Sequence, residues 1–140
     1  MSGKAVIIHS LEQARAALAA AAELGVPVTL ASAPGAAAYA GPAWFQEVVR
    51  LAQQEFPDVE AAALLDCGER AGDVMAALRL GLGRVRFTGR KAVAEKLASM
   101  AGQLGAELVT GRLDALDLRA LPDPEAACRD WLSKDRRKAT

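Results

Sequence analysis

The stretch RVRFTG, residues 84–89, alternates polar and large apolar side chains. Read as a β-strand, it sends Val85 and Phe87 to one face and Arg84, Arg86 and Thr88 to the other. A central strand of a doubly wound sheet is covered by helices on both faces and reads as a continuous apolar run. This stretch does not. Nor do two further β-prone runs. VPVTLAS (26–32) sets Val28 and Leu30 against Thr29 and Ala31, and AELVTG (106–111) sets Leu108 against Glu107 and Val109. One face is mostly large and apolar, the other mostly small or polar. The pattern favours a singly wound sheet with helices outside and a concave inner face, on which Arg86 is placed to pair with Glu107.

Outward from this strand, short β-prone runs alternate with helical ones. AVIIHS (5–10) reads as the first strand. The helix over 11–25 places Leu11, Ala14, Leu18 and Ala22 at helical spacing, with Ser10 and Gln13 as a capping box and Gly25 as its stop. After the second strand, an extended Gly/Ala/Pro loop spans 32–42, longer than the roughly 2–6 residues usual for such a connection. A helix over 42–56 opens on Pro42. EAAALLD (60–66) is the third strand and 70–82 the third helix. The fourth helix covers 90–105. Residues 112–122 read as a linker, and a last helix starts at Asp123-Pro124 and carries Trp131 and Leu132.

Strand and helix in repeated alternation with short loops mean βαβ units and a parallel sheet. The expected fold is α/β, with about five parallel strands in a half-TIM-barrel-like arrangement and a C-terminal helix. The alternative is a flavodoxin-like doubly wound sheet. Residues 1–140 read as one domain ending in a flexible basic tail over 133–140.

The bulk properties exclude several classes. The chain has 140 residues, 52% hydrophobic and 24% charged, enough for a packed core. Its formal net charge is zero, so no field of either sign draws in nucleic acid or a membrane surface. The apolar run near the N-terminus is about five residues, where a signal peptide needs roughly 7–15. The Ala-rich stretch 14–22 carries Arg15 and is too short to span a bilayer. Cys67 and Cys128 show neither CxxC spacing nor histidine neighbours. They read as free thiols in a cytoplasmic protein, and no metal site is expected. No GxGxxG or Walker motif is present, so no nucleotide cofactor is expected.

Over residues 56–111 the order of features resembles the middle strands of small aldolase-type TIM barrels, the 2-keto-3-deoxy-6-phosphogluconate aldolase group. The shared elements are a Phe-Pro before a strand, a small-residue strand end, an Ala-rich helix ending at Leu-Gly, a short strand, and a further helix before the next strand. The resemblance implies shape. It does not carry over the activity, because that family forms a Schiff base on a later strand and this chain has no strand-borne lysine after Lys4. A receiver domain is the other family weighed. Asp66 and Thr88 sit where a receiver keeps its phosphoacceptor and switch hydroxyl. Strand one, however, ends in His9-Ser10 without an acidic pair, and strand five in Thr110 rather than lysine. At most this is a degenerate receiver.

Parallel strands gather their carboxyl ends on one edge, where ligands bind in both architectures. That edge collects His9, Ser10, Ser32, Asp66, Cys67, Thr88, Arg90, Lys91, Thr110 and Arg112. The catalytic candidates are Asp66, as polar anchor or general base, and a Cys67–His9 pair, since a thiol nucleophile needs a base. The ligand-binding candidates are Ser32, Thr88, Gly89, Arg90 and Lys91. In TGRK (88–91), glycine, a helix start and two cations together suit an anion. Tyr39, Trp44 and Phe45 make the 32–45 segment a contact surface, a core element or a lid.

These readings describe a small cytoplasmic domain that self-associates and binds a small anionic metabolite, phosphate or carboxylate, at its strand ends. The lone histidine weighs against catalysis by the chain alone. The alternative is a non-catalytic protein-interaction or regulatory module, degenerate receiver-like.

Overall fold

The computed structural model describes residues 3–38 and 40–139, with side chains described through Lys134. The elements in order are β1 (Lys4–Ile7), α1 (Leu11–Leu24), β2 (Val28–Ala31), α2 (Pro42–Glu55), β3 (Ala61–Asp66), α3 (Ala71–Arg79), β4 (Arg84–Arg86), α4 (Lys91–Gln103), β5 (Glu107–Val109), β6 (Ala115–Asp117) and α5 (Pro124–Ala139). The six strands lie in the order β5-β4-β3-β2-β1-β6 and run parallel. From β1 to β5 each connection moves one place in the same direction. This sequential order is that of a barrel-type sheet. The doubly wound alternative would put β1 between β2 and β3, and it is not adopted.

Two compact units divide the chain. The first holds residues 1–31, 48–62 and 113–140. In it β1 pairs with β2 on one side, Val6 opposite Leu30, and with β6 on the other, Val6 opposite Leu116. The β6 strand lies inside the expected 112–122 linker. Its three residues, ALD, are too few to show a period, and pairing with β1 rather than intrinsic propensity makes them a strand. All four residues of β2 are buried, Thr29 included. Helix α1 starts on Ser10, whose Oγ accepts the Gln13 N–H at 3.2 Å, and stops on Gly25 at φ 66°. The Gln13 side chain does not close the box on Ser10. Its Oε1 accepts the His9 N–H at 2.7 Å instead. Ala14, Ala17, Leu18 and Ala21 are buried, and Ala22 faces outward. Helix α5 packs on α1. Its Cys128 and Leu132 are fully buried, and Trp131 Nε1 donates to the Ala5 carbonyl at 3.0 Å beneath the Lys4 ammonium. The backbone of the basic tail continues α5 through Ala139, while its side chains from residue 135 lie outside the described set.

The second unit holds residues 32–47 and 63–112. Here β4 pairs with β3, Leu65 opposite Val85, and with β5, Val85 opposite Leu108. The expected alternation is present: Val85 and Phe87 are buried, Arg84 and Arg86 partly exposed, and Thr88 exposed. The expected Arg86–Glu107 pair is not formed. Register sets Glu107 opposite Arg84, and the two join at 3.0 Å, while Arg86 turns to Asp66 on β3. Helices α3 and α4 bury Val74, Ala77 and Leu78, and Leu97 and Ala101. In the long loop a 3-10 turn forms at Ala36–Ala38. Phe45 is core and Trp44 is 41% exposed; Tyr39 lies outside the described residues.

Gly3 precedes β1 with φ 73°, and a Cβ there would stand 2.3 Å from the Pro27 carbonyl oxygen. Both conformation and space demand glycine. Gly3→Ala is expected to lower unfolding stability by about 1–3 kcal/mol, read from urea midpoints at unchanged m-value.

Candidate functional site

In the second unit the run of apolar residues in β3 stops at Asp66, which is only 3% exposed. Its Oδ1 accepts the N–H groups of Gly35 and Gly68, each at 2.9 Å, and its Oδ2 accepts Arg86 Nη1 at 2.8 Å. The Asp66 N–H donates to Ser32 Oγ at 2.8 Å. Arg86 Nε reaches the Gly111 carbonyl at 3.0 Å. The loop after β2, the turn after β3, the end of β4 and the segment after β5 are thus tied to one carboxylate. Gly68 at φ 57° and Gly35 at φ 69° turn their backbones in conformations that disfavour a side chain. A carboxylate that accepts from three donors of its own chain is held in place by the fold. Ser32, expected to bind ligand, is bound to the same residue.

Beside this knot, at the carboxyl ends of β4 and β5, lies a cleft of about 540 Å³. The polar part of its lining is Thr88, Gly89, Lys91, Glu95 and Thr110, and the apolar part is Phe87, Ala94, Ala98 and Leu108. Three of the five expected ligand-binding residues therefore meet here. Arg90 is exposed at the N-cap of α4, where no side chain caps the helix. A Cβ on Gly89 would come within 2.3 Å of the Phe87 ring. The glycine thus makes room for its neighbour's aromatic ring, which forms part of the apolar lining. Sequence reasoning missed Glu95 and the pairing of Arg86 with Asp66. The first follows from helical spacing, since Glu95 stands one turn after Lys91.

The other candidates have separate surroundings. Cys67 is buried, and burial together with the Asp73 and Asp66 carboxylates pushes its thiol up to about 12. Burial and then Glu125 push the Cys128 thiol up to about 12 as well. His9, at the end of β1 in the first unit, places Nε2 2.7 Å from Asp117 Oδ1 at the end of β6. Burial pulls the Asp117 carboxyl upward, but the Arg119 N–H at 2.9 Å and the His9 ring outweigh it and hold the group below its usual value. His9 is engaged with a carboxylate, and the Cys67 thiol is held in its poorly nucleophilic protonated form.

A family model for class-II fructose-bisphosphate aldolase matches residues 3–96. The chain belongs to the class-II fructose-bisphosphate aldolase family. A search of curated proteins returns no match. The family agrees with the aldolase-type fold expected from residues 56–111, although the sequence pattern pointed to the 2-keto-3-deoxy-6-phosphogluconate group within such folds. Class-II aldolases imply a divalent metal ion. The donors present do not fit one. The single histidine is bound to Asp117, the thiols are buried and protonated, and among the described residues no group of three or more His, Cys, Asp or Glu is placed to hold a metal. Among the described residues no helix is long and apolar enough to cross a membrane.

Both thiols are expected to resist modification in the folded protein. At pH 7.5 a thiol near pKa 12 is about 10⁻⁴ to 10⁻⁵ thiolate, against roughly a tenth for an ordinary one. Ellman's reagent should label fewer than one thiol per native chain over an hour and both after guanidinium unfolding. Prompt native labelling of Cys67 would restore it as a nucleophile.

Proposed function

We propose that this aldolase-family domain binds a small anionic metabolite, through a carboxylate or phosphate, in the cleft at the carboxyl ends of β4 and β5, and is not a catalyst on its own. The observation that carries the reading is the cleft itself. Its lining joins two threonine hydroxyls and the Lys91 ammonium to the start of α4, which no side chain caps, a set of donors suited to an anion. Its volume lies within the range of about 300–1,000 Å³ typical of small-molecule sites, and strand carboxyl ends are where such folds place their ligands. Against a catalytic role stand the Asp66 carboxylate, filled by its own chain, and the two protonated thiols. Self-association is part of the proposal, since β5 and β6 end the sheet with one side each unpaired. Free buried thiols fit a reducing cytoplasm.

A protein-interaction module is the second reading. It draws on Trp44, Leu80, Met100 and Leu104, large apolar side chains 39–62% exposed in the second unit. Amide chemical-shift mapping separates the two. Titration with inorganic phosphate and with propionate is expected to move the amides of Thr88, Gly89, Lys91 and Thr110 in a saturable way, and Lys91→Met to abolish the effect. Shifts scattered over the surface, or none, would remove the anion site and favour the interaction module.

A further inference from the structure

The lining of the cleft is specific enough to name a ligand class, and this step rests on the anion-site reading above. Down the α4 wall the side chains come in a fixed order: Lys91 in the first turn, Glu95 one turn below, and Ala98 beyond it. Residues four apart on a helix stand about 5–6 Å from each other on one face. A cation and a carboxylate therefore stand one turn apart on the α4 side of the cleft. The rest of the lining is mostly hydrocarbon: the Phe87 ring, Leu108 and the two alanines.

Each neighbouring ligand class meets an obstacle. A phosphate dianion can reach Lys91 but is held less well than a zwitterion, because the Glu95 carboxylate one turn on repels it. The hydroxyls of a sugar phosphate would be buried against hydrocarbon without partners, which costs free energy for each unpaired group. A fatty acid would satisfy Lys91 and the apolar lining but leave Glu95 facing its carboxylate. A ligand that carries both charges at one end and an apolar body at the other satisfies every wall at once.

We infer that the cleft between α4 and β5 takes an apolar α-amino acid: its carboxylate meets Lys91 and the Thr88 and Thr110 hydroxyls, its ammonium meets Glu95, and its side chain rests on Phe87 and Leu108. The opposite charges on α4 read the zwitterion, and the small Ala94 and Ala98 leave room for a branched or aromatic side chain.

Isothermal titration of the full chain with L-leucine, 4-methylpentanoate, 3-methylbutylamine and inorganic phosphate tests this. The second probe is leucine without its ammonium group and the third is leucine without its carboxylate. Leucine is expected to bind about tenfold or more tighter than either truncated analogue, because each leaves one charged wall unpaired. Glu95→Gln should weaken leucine by about fivefold or more and leave 4-methylpentanoate unchanged or tighter. Lys91→Met should weaken both acids and spare the amine. Ala98→Leu, at an exposed helical position that tolerates the change, should weaken leucine more than glycine by filling the cleft. If leucine binds no more tightly than 4-methylpentanoate, or if phosphate binds and leucine does not, the zwitterion inference is overturned while the anion site stands. If no probe binds, or if leucine binding survives Lys91→Met unchanged, both fall.

Discussion

The Asp66 carboxylate and its bond to Arg86 organise the second unit. A carboxylate this buried loses most of its hydration and is tolerable only when charge and hydrogen bonds replace the lost water. Asp66 has both: a guanidinium at 2.8 Å and two backbone N–H groups at 2.9 Å. The replacement comes from parts of the chain far apart in sequence. Gly35 belongs to the long loop after β2, Gly68 to the turn after β3, and Arg86 to β4. The Arg86 guanidinium passes the constraint on to Gly111 after β5. One side chain at a strand end thereby ties together three connections and β4, and the cost of desolvating it is met only when all of them are in place.

This arrangement decides what the strand ends can do. A polar cluster at the carboxyl edge of a parallel sheet invites a catalytic reading, and membership of an aldolase family strengthens the invitation. The geometry redirects it. Asp66 spends its acceptor capacity on the fold, Cys67 is buried beside two carboxylates, and His9 is joined to Asp117 in the other unit. The open chemistry of the second unit lies one strand further along, where Phe87 folds beneath Gly89 and leaves a cleft between α4 and β5. A family fold is retained here while the metal donors of a class-II site are not assembled among the described residues. Fold and chemistry are separable properties, and function follows the residues at the site.

Much of this was legible in the chain. The alternation of Val85 and Phe87 with Arg84, Arg86 and Thr88 pointed to a sheet with dissimilar faces, and the sequential strand order agrees. Ser10 capped its helix because side-chain oxygens at that position satisfy free N–H groups whatever the tertiary context. Features that depend on register were hidden. Arg86 was expected to meet Glu107, but the parallel register of β4 and β5 places Glu107 one pleat away, opposite Arg84. The three residues of β6 carry no periodicity and become a strand through β1 alone. Glu95 joins the cleft lining only through the packing of α4 beside β5. Local signals survive in sequence; pairings chosen by neighbouring strands do not.

A double-mutant cycle between Asp66→Asn and Arg86→Met, read as unfolding free energies in urea, tests the central claim most directly. Asparagine keeps an oxygen for the two glycine N–H groups but removes the charge and the acceptor that faces Arg86; methionine keeps the bulk of the arginine stem. A coupling free energy of about 1.5–3 kcal/mol, with the double variant destabilised less than the sum of the two single variants, is the predicted result. Additive single effects, with coupling near zero, would contradict it and return Asp66 to the set of residues free to act on a ligand.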